Sequence, residues 1–371
     1  MQMRKRRTIK AAVQAQFQSP LHNLHQKLKA QGREPSWQAL FDARRRTQHT
    51  IEVLEGNLPR DLPQDVSVIF SGSLGRGEFT NGSDMDWSLL LDGSADPQHF
   101  RLAADIRTWV EAKAAKEVGK EGTFGGMVVS HDLIHLIGGD EDSNKNFTRR
   151  MLILLETVPL GPRVAFDRTF KNILHRYLNE DASFWRGTSR HGHHIPHFLM
   201  NDVTRFWRTM AVDFAYKLRN RGAKGAAIRN LKLRMSRKLL YVAGLLGCYR
   251  CHLDFVDDKD AFVGERRNET LARIESFFAL PPTDLIASVL LNFDHLSESA
   301  EVLFNSYDRF LAVLSDDEKR ERLEKLSESD SASDEVYQNT RQASRDFRDA
   351  LVRIFFDNSE IGTLTRLYGV F

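Results

Sequence analysis

The chain has 371 residues, 41% apolar and 28% charged, with a formal net charge of +3. That composition builds a sizeable folded core, and it excludes both a disordered polymer and a uniformly basic nucleic-acid coat. No apolar run approaches the roughly 18 residues of a membrane span, and the basic start Arg4-Lys5-Arg6-Arg7 is not followed by an apolar leader, so a cytoplasmic protein with no membrane partner is expected.

Residues 1–60 read as helical, with Leu21, Leu24 and Leu28, then Leu40 and Phe41, then Ile51 and Leu54 at helical spacing. The run Arg44-Arg45-Arg46 falls in this segment and reads as a solvated helix face. The chain then reaches the stretch that organises the rest, VSVIFSGSLGRGEFTNGSDMDWSLLLDG from Val66 to Gly93. A β-branched apolar run leads into Ser71-Gly72-Ser73, and after a turn rich in Gly, Asn and Ser a second run carries Asp84 and Asp86 into Trp87 to Leu91. Residues two apart on a strand point to one face, so Asp84 and Asp86 can converge on one divalent ion or bridge two. Mg²⁺, or Mn²⁺ in its place, suits paired carboxylates and substrate phosphates together. Gly72 and Ser73 would let backbone N–H groups and a hydroxyl approach a triphosphate closely.

Gly-Ser closing one apolar run, with Asp-x-Asp opening the next, resembles the signature of the DNA polymerase β-like nucleotidyltransferase superfamily. The segment GSLGRGEFTNGSDMDW is most similar to the bacterial branch that includes the uridylyltransferase modifying protein PII. It resembles less closely the synthases of cyclic oligonucleotide second messengers. The resemblance implies an α+β fold with a small mixed sheet, Asp84 and Asp86 as metal ligands, and Gly72 and Ser73 seating a nucleoside triphosphate that Arg76 touches. It also implies a third carboxylate on a neighbouring strand.

Beyond Gly93, residues 97–118 read as a helix and 119–126 as a glycine-rich break. Residues 127–137, MVVSHDLIHLI, read as a third strand, and Asp132 near its middle is the first candidate for the third carboxylate. Asp140, Glu141 and Asp142 follow at once and compete with it, and His131 and His135 are in reach of the same site. Helices are expected over 144–155 and 164–180, with Arg149 and Arg150 facing phosphate or the acidic turn. A polar loop over 183–196, with His191, His193 and His194 and with His197 beyond, reads as a solvent loop in preference to a metal site.

The remainder reads as helical. The helix over 198–218 carries Phe206, Trp207, Met210 and Phe214 at core spacing, and a basic loop over 219–225 follows. The helix over 226–246 places Arg229, Lys232 and Ser236 on one face, where cations opposite the carboxylates would neutralise a triphosphate. Cys248 and Cys251 read as two reduced thiols. Residues 315–334 look like a flexible connection, and 342–356 a last amphipathic helix.

The organisation expected is an N-terminal helical segment (1–60), a nucleotidyltransferase core (61–162) and a helical domain (163–371). The activity expected is metal-dependent transfer of a nucleoside monophosphate from a triphosphate to a hydroxyl, releasing pyrophosphate, with Asp84, Asp86 and Asp132 in the metal shell and Gly72, Ser73, Arg76, Arg229 and Lys232 on the nucleotide. The acceptor stays open between a protein, an RNA end and a second nucleotide; the last would make the chain a messenger synthase in antiviral defence. The reading from another class is a nucleotide- or RNA-binding module of the same fold without turnover, against which two converging, mutually repelling carboxylates count.

Overall fold

The structure, a computed structural model, describes residues 19–59, 61–113, 123–187, 192–220, 225–258, 260–327 and 330–369. The basic start Arg4–Arg7, His191, Arg221 and Lys224 lie outside these. The architecture is α+β, a small mixed sheet followed by a helical region. No helix among the described residues is long and apolar enough to cross a membrane.

Two helices, α1 (Pro20–Ala30) and α2 (Gln38–Asn57), lead to β1 (Val66–Ser71). Arg44 on α2 is not a solvated face residue: its guanidinium pairs with Asp284 at 2.7 Å and reaches Ser19 and Thr283. A loop over residues 72–85 joins β1 to β2 (Asp86–Leu91), and α3 (Gln98–Glu111), β3 (Met127–Val129), α4 (Ser130–His135), α5 (Asn144–Leu155) and β4 (Val158–Leu160) complete the sheet region. The strand order is β3-β2-β1-β4. β1 runs antiparallel to β2 and β4, and β2 runs parallel to β3.

Strand alternation assigns the two faces. Val66, Val68, Phe70, Trp87, Leu89 and Leu91 pack with Leu54 of α2 and with Ile106 and Val110 of α3. Ile69, Leu90 and Val128 point the other way and join the large helical core. Asp86 shares the parity of Ser88 and Leu90, so its side chain leaves the sheet toward the helices.

The third strand is shorter than expected. After Val129 the apolar spacing changes from two to three and four, with Ser130, Leu133 and Ile134 buried, and that pattern folds as α4. Asp132 is therefore helical and sits beyond the end of β3 that pairs with Leu91.

The helical region opens with α6 (Val164–Glu180), α7 (Ala182–Arg186) and α8 (His197–Asn220). Then α9 (Ala226–Lys232), a π-turn (Leu233–Arg237) and α10 (Lys238–Leu253) form one continuous rod. The segment expected to be a polar loop is packed instead: His194 stacks on Phe262 at 3.5 Å between ring centroids, and His193 lies 4.5 Å from His252. Cys248 and Cys251 are unbridged and buried on α10, and burial pushes both thiols upward.

The chain continues through α11 (Arg266–Phe278), α12 (Pro282–Leu290), α13 (Ser297–Ser315), α14 (Asp317–Lys325), α15 (Glu335–Val352) and α16 (Ser359–Leu364). α14 falls where a flexible connection was expected. Asp316 caps it by accepting from the Lys319 N–H, and Leu323 and Arg320 bury its inner side, a sparse apolar signal hidden among charges.

Candidate active site at the β1–β2 edge

The site is built where β1 ends and β2 begins, since Ser71 pairs with Asp86 in register. Gly72 follows with φ +70°, and a Cβ there would lie 3.0 Å from the Asp86 carboxylate oxygen Oδ2. Glycine is therefore required twice over, for the left-handed turn and for the room beside the carboxylate. Residues 72–77 wind back on themselves, with the Arg76 N–H donating to the Gly72 carbonyl at 3.0 Å and the Glu78 N–H to the Ser73 carbonyl at 2.8 Å. Gly75 lets this loop lie against the α5–β4 connection: a Cβ on it would come within 1.9 Å of the Glu156 carbonyl oxygen.

Asp84 is exposed and Asp86 half-buried. Burial, then the charge of Asp84, then that of Glu156 push Asp86 up from 3.8 to about 6, against the pull of Arg237 and Arg76. The charge of Asp84 thus reaches Asp86, although only Asp86 is in the strand and Asp84 precedes it. Neither carboxylate makes an ion pair or hydrogen bond among the described residues.

Arg76 is engaged differently from the sequence expectation. Its Nε donates to Glu78 at 2.9 Å and its Nη1 to Glu156, and Tyr307 of α13 donates to the other Glu78 oxygen at 2.8 Å. Burial would lower the guanidinium's affinity for its proton, but Glu78 and Glu156 outweigh it and raise it. The group braces the loop from beneath.

Asp132 is not brought to the aspartates. Asp86 opens β2 and Leu91 closes it; Leu91 pairs with Val129, three residues before Asp132. At about 3.3 Å per strand residue, roughly 16 Å of strand separates the two ends. Asp132 is half exposed and lies 3.6 Å from His131, and that histidine stacks near His135 at 4.8 Å. Asp142 is bound by Arg150 at 2.8 Å, the salt bridge expected from sequence, and Asp140 is exposed in the same turn. Among the described residues no group of three or more His, Cys, Asp or Glu is placed to hold a metal ion.

Cations face the aspartates from the helical half. Lys232 closes α9, and burial, then Arg320, lower it from 10.5 to about 8, while Asp84 pulls it upward. Arg237 ends the π-turn and lowers Asp86. Lys217 of α8 is lowered by burial and by Arg237 and Arg229, and raised by Asp213 and Asp86. Arg229 reaches this group through Lys217 and lies 3.4 Å from where a Cβ of Gly225 would be.

Arg237, Lys217 and Arg320 were missed from sequence. On an α-helical wheel Arg237 falls off the Arg229–Lys232–Ser236 face; the π-turn's extra residue brings positions five apart to the same side. Arg320 comes from α14, where its Nη1 donates to Thr80 at 3.1 Å and its guanidinium fills the space beside Gly82. Cavities of about 430 Å³ along α14 and about 30 Å³ between α8, α9 and α15 are lined by other residues than these.

This arrangement suits a polyanion and a cation together. Crowded cations depress one another's proton affinity and raise their attraction for phosphate, while two repelling carboxylates attract a divalent ion. Comparison with family models, with curated proteins and with solved structures finds no match to this chain.

Proposed function

We propose that the chain is a metal-dependent nucleotidyltransferase. The observation that carries this is the pairing of Asp84 with Asp86, unpartnered by any cation within ion-pair distance and coupled to each other, against a left-handed Gly72 and opposite Lys232 and Arg237. Asp84 and Asp86 would hold Mg²⁺ or Mn²⁺, and the space beside Asp86 that a Cβ would fill is the fit such an ion needs. A metal so held supplies Lewis acidity and charge neutralisation at the reacting phosphate.

The chain's own residues do the rest. The loop over residues 72–77 offers backbone N–H groups and the Ser73 hydroxyl to the triphosphate. Lys232, Arg237 and Lys217 take up the charge that grows on the leaving pyrophosphate. An acceptor hydroxyl oxygen forms a bond to the α-phosphorus, the bond from that phosphorus to the bridging oxygen breaks, pyrophosphate departs and the hydroxyl proton passes to solvent. Arg76, Glu78, Glu156 and Tyr307 keep the loop in register with Asp86.

The experiment is to incubate the protein with each α-labelled triphosphate and Mg²⁺ or Mn²⁺, with and without cell RNA. Pyrophosphate release and a labelled product, both abolished by Asp84→Ala and by Asp86→Ala, are expected. Release that survives either substitution, or its absence with every triphosphate and acceptor, would overturn the proposal in favour of a binding module.

A further inference from the structure

The seam between α8 and the α9–α10 rod carries more cations than a triphosphate needs. Between Ala226 and Leu253 there is no Asp or Glu, while Arg229, Lys232, Arg234, Arg237 and Lys238 fall within ten positions. Other cations of the chain are paired: Arg150 with Asp142 at 2.8 Å, Arg44 with Asp284 at 2.7 Å and, further along the same rod, Arg250 with Asp254 at 2.8 Å. Arg208, Arg237 and Lys238 make no ion pair with a carboxylate among the described residues. Lys238 is lowered by burial and by the charges of Arg234 and Arg348.

An aromatic pair lies in the same seam. Trp207 of α8 and Tyr241 of α10 stack at 5.8 Å between centroids with their planes 20° apart, and both are half-buried, with part of each open to solvent. Arg208 lies beside the Tyr241 hydroxyl.

The contacts between the two helices keep one antiparallel register. Trp207 meets Tyr241, Met210 meets Arg237 at 3.7 Å, and Lys217 senses Arg229. Along the rod Tyr241 is four residues past Arg237, about 6 Å of helix rise. Arg237 in turn senses Asp86. A basic track therefore runs from the aspartates to an aromatic stack.

From this juxtaposition of the Trp207–Tyr241 stack with the unpaired Arg208 and Arg237, we propose that the α8–α10 seam binds single-stranded nucleic acid. Cations tracking a backbone and rings on which bases stack are the two elements of sequence-tolerant single-strand binding. As the acceptor site of the proposed transferase, which gives the seam its role, it would deliver a strand end to Asp84 and Asp86. The binding itself does not depend on that reading.

The test is fluorescence anisotropy with the full chain and labelled oligo(rA), oligo(dA) and a DNA duplex of about 12 nucleotides, in EDTA without triphosphate. Both single strands should bind more tightly than the duplex, with affinity falling steeply over roughly 50 to 200 mM salt. Arg208→Ala should weaken binding about three- to tenfold and flatten the salt slope by about one, and Arg208→Lys should restore it. Trp207→Ala should cost more than about tenfold and Trp207→Phe little.

No binding at low salt, equal affinity for duplex, or affinity untouched by the surface substitutions would overturn the proposal. Displacement of the oligonucleotide by polyglutamate at matched charge would also overturn it, assigning the seam to an acidic protein. Oligonucleotide bound as expected, with pyrophosphate release absent for every triphosphate and acceptor in the Mg²⁺ assay, would leave the seam standing and remove the transferase reading; labelling of another acceptor without oligonucleotide binding would do the reverse.

Discussion

Asp86 is held at a cost to the fold, and that cost has a definite sign. Burial and the neighbouring Asp84 raise its carboxyl from 3.8 to about 6 in the folded chain, so ionised Asp86 disfavours the folded state. The penalty is absent well below pH 3.8, where the carboxyl is protonated folded or unfolded, and grows as the pH rises to about 6. Asp86→Asn should therefore stabilise the ligand-free protein above pH 7 by about 1–2 kcal/mol, after discounting for partial solvent access, and by almost nothing at about pH 3; urea unfolding at both pH values checks it. Arg76 carries the opposite expectation. Arg76→Met leaves Glu78 and Glu156 buried without their cation, a change that destabilises by about 3–5 kcal/mol, and thermal unfolding would show it. Tyr307→Phe removes only one donor to Glu78 and should cost about 1 kcal/mol or somewhat more. Conversely, a Tyr307→Phe loss equal to that of Arg76→Met would contradict the bracing role given to the guanidinium.

The β1–loop–β2 unit was legible in the sequence because strand alternation and the Gly-Ser and Asp-x-Asp spacings are local. Gly72 was assigned for close approach, and the structure brings it against Asp86. The third carboxylate was not legible, because the helical spacing of Ser130, Leu133 and Ile134 outweighs the alternation of residues 127–129 and carries Asp132 past the far end of the sheet. The basic helix was half legible. The charge of Asp84 reaches Lys232, whereas Arg237, which acts on Asp86, falls off the Lys232 face on a fixed 3.6-residue period that cannot anticipate the π-turn. On the proposal that the two cations share one anion site, Lys232→Ala and Arg237→Ala should each weaken triphosphate binding about tenfold, and the double variant should fall short of their sum. Calorimetric titration of all three proteins tests this; strictly additive losses would place the two side chains at separate sites.

Across the whole molecule the charge is nearly balanced, so function resides in how it is distributed. Many carboxylates and cations pair with each other across the helical region, while Asp84 and Asp86 on the sheet edge and Arg208, Arg237 and Lys238 on the helices are among those that make no ion pair among the described residues. One apolar core links α1, one face of the sheet and the helices through α16. Long-range packing of that kind was beyond sequence reading: Arg320, some 240 residues from Thr80, supplies a cation to the edge from a segment that reads as a linker. The central claim is that Asp84 and Asp86 jointly hold a divalent ion with a triphosphate. Electron paramagnetic resonance of Mn²⁺ titrated into the protein with a non-hydrolysable triphosphate measures it directly. Saturable Mn²⁺ binding that needs the triphosphate and is lost in both Asp84→Ala and Asp86→Ala is the predicted result; Mn²⁺ binding unchanged by either substitution, or absent from the unsubstituted protein, would contradict it.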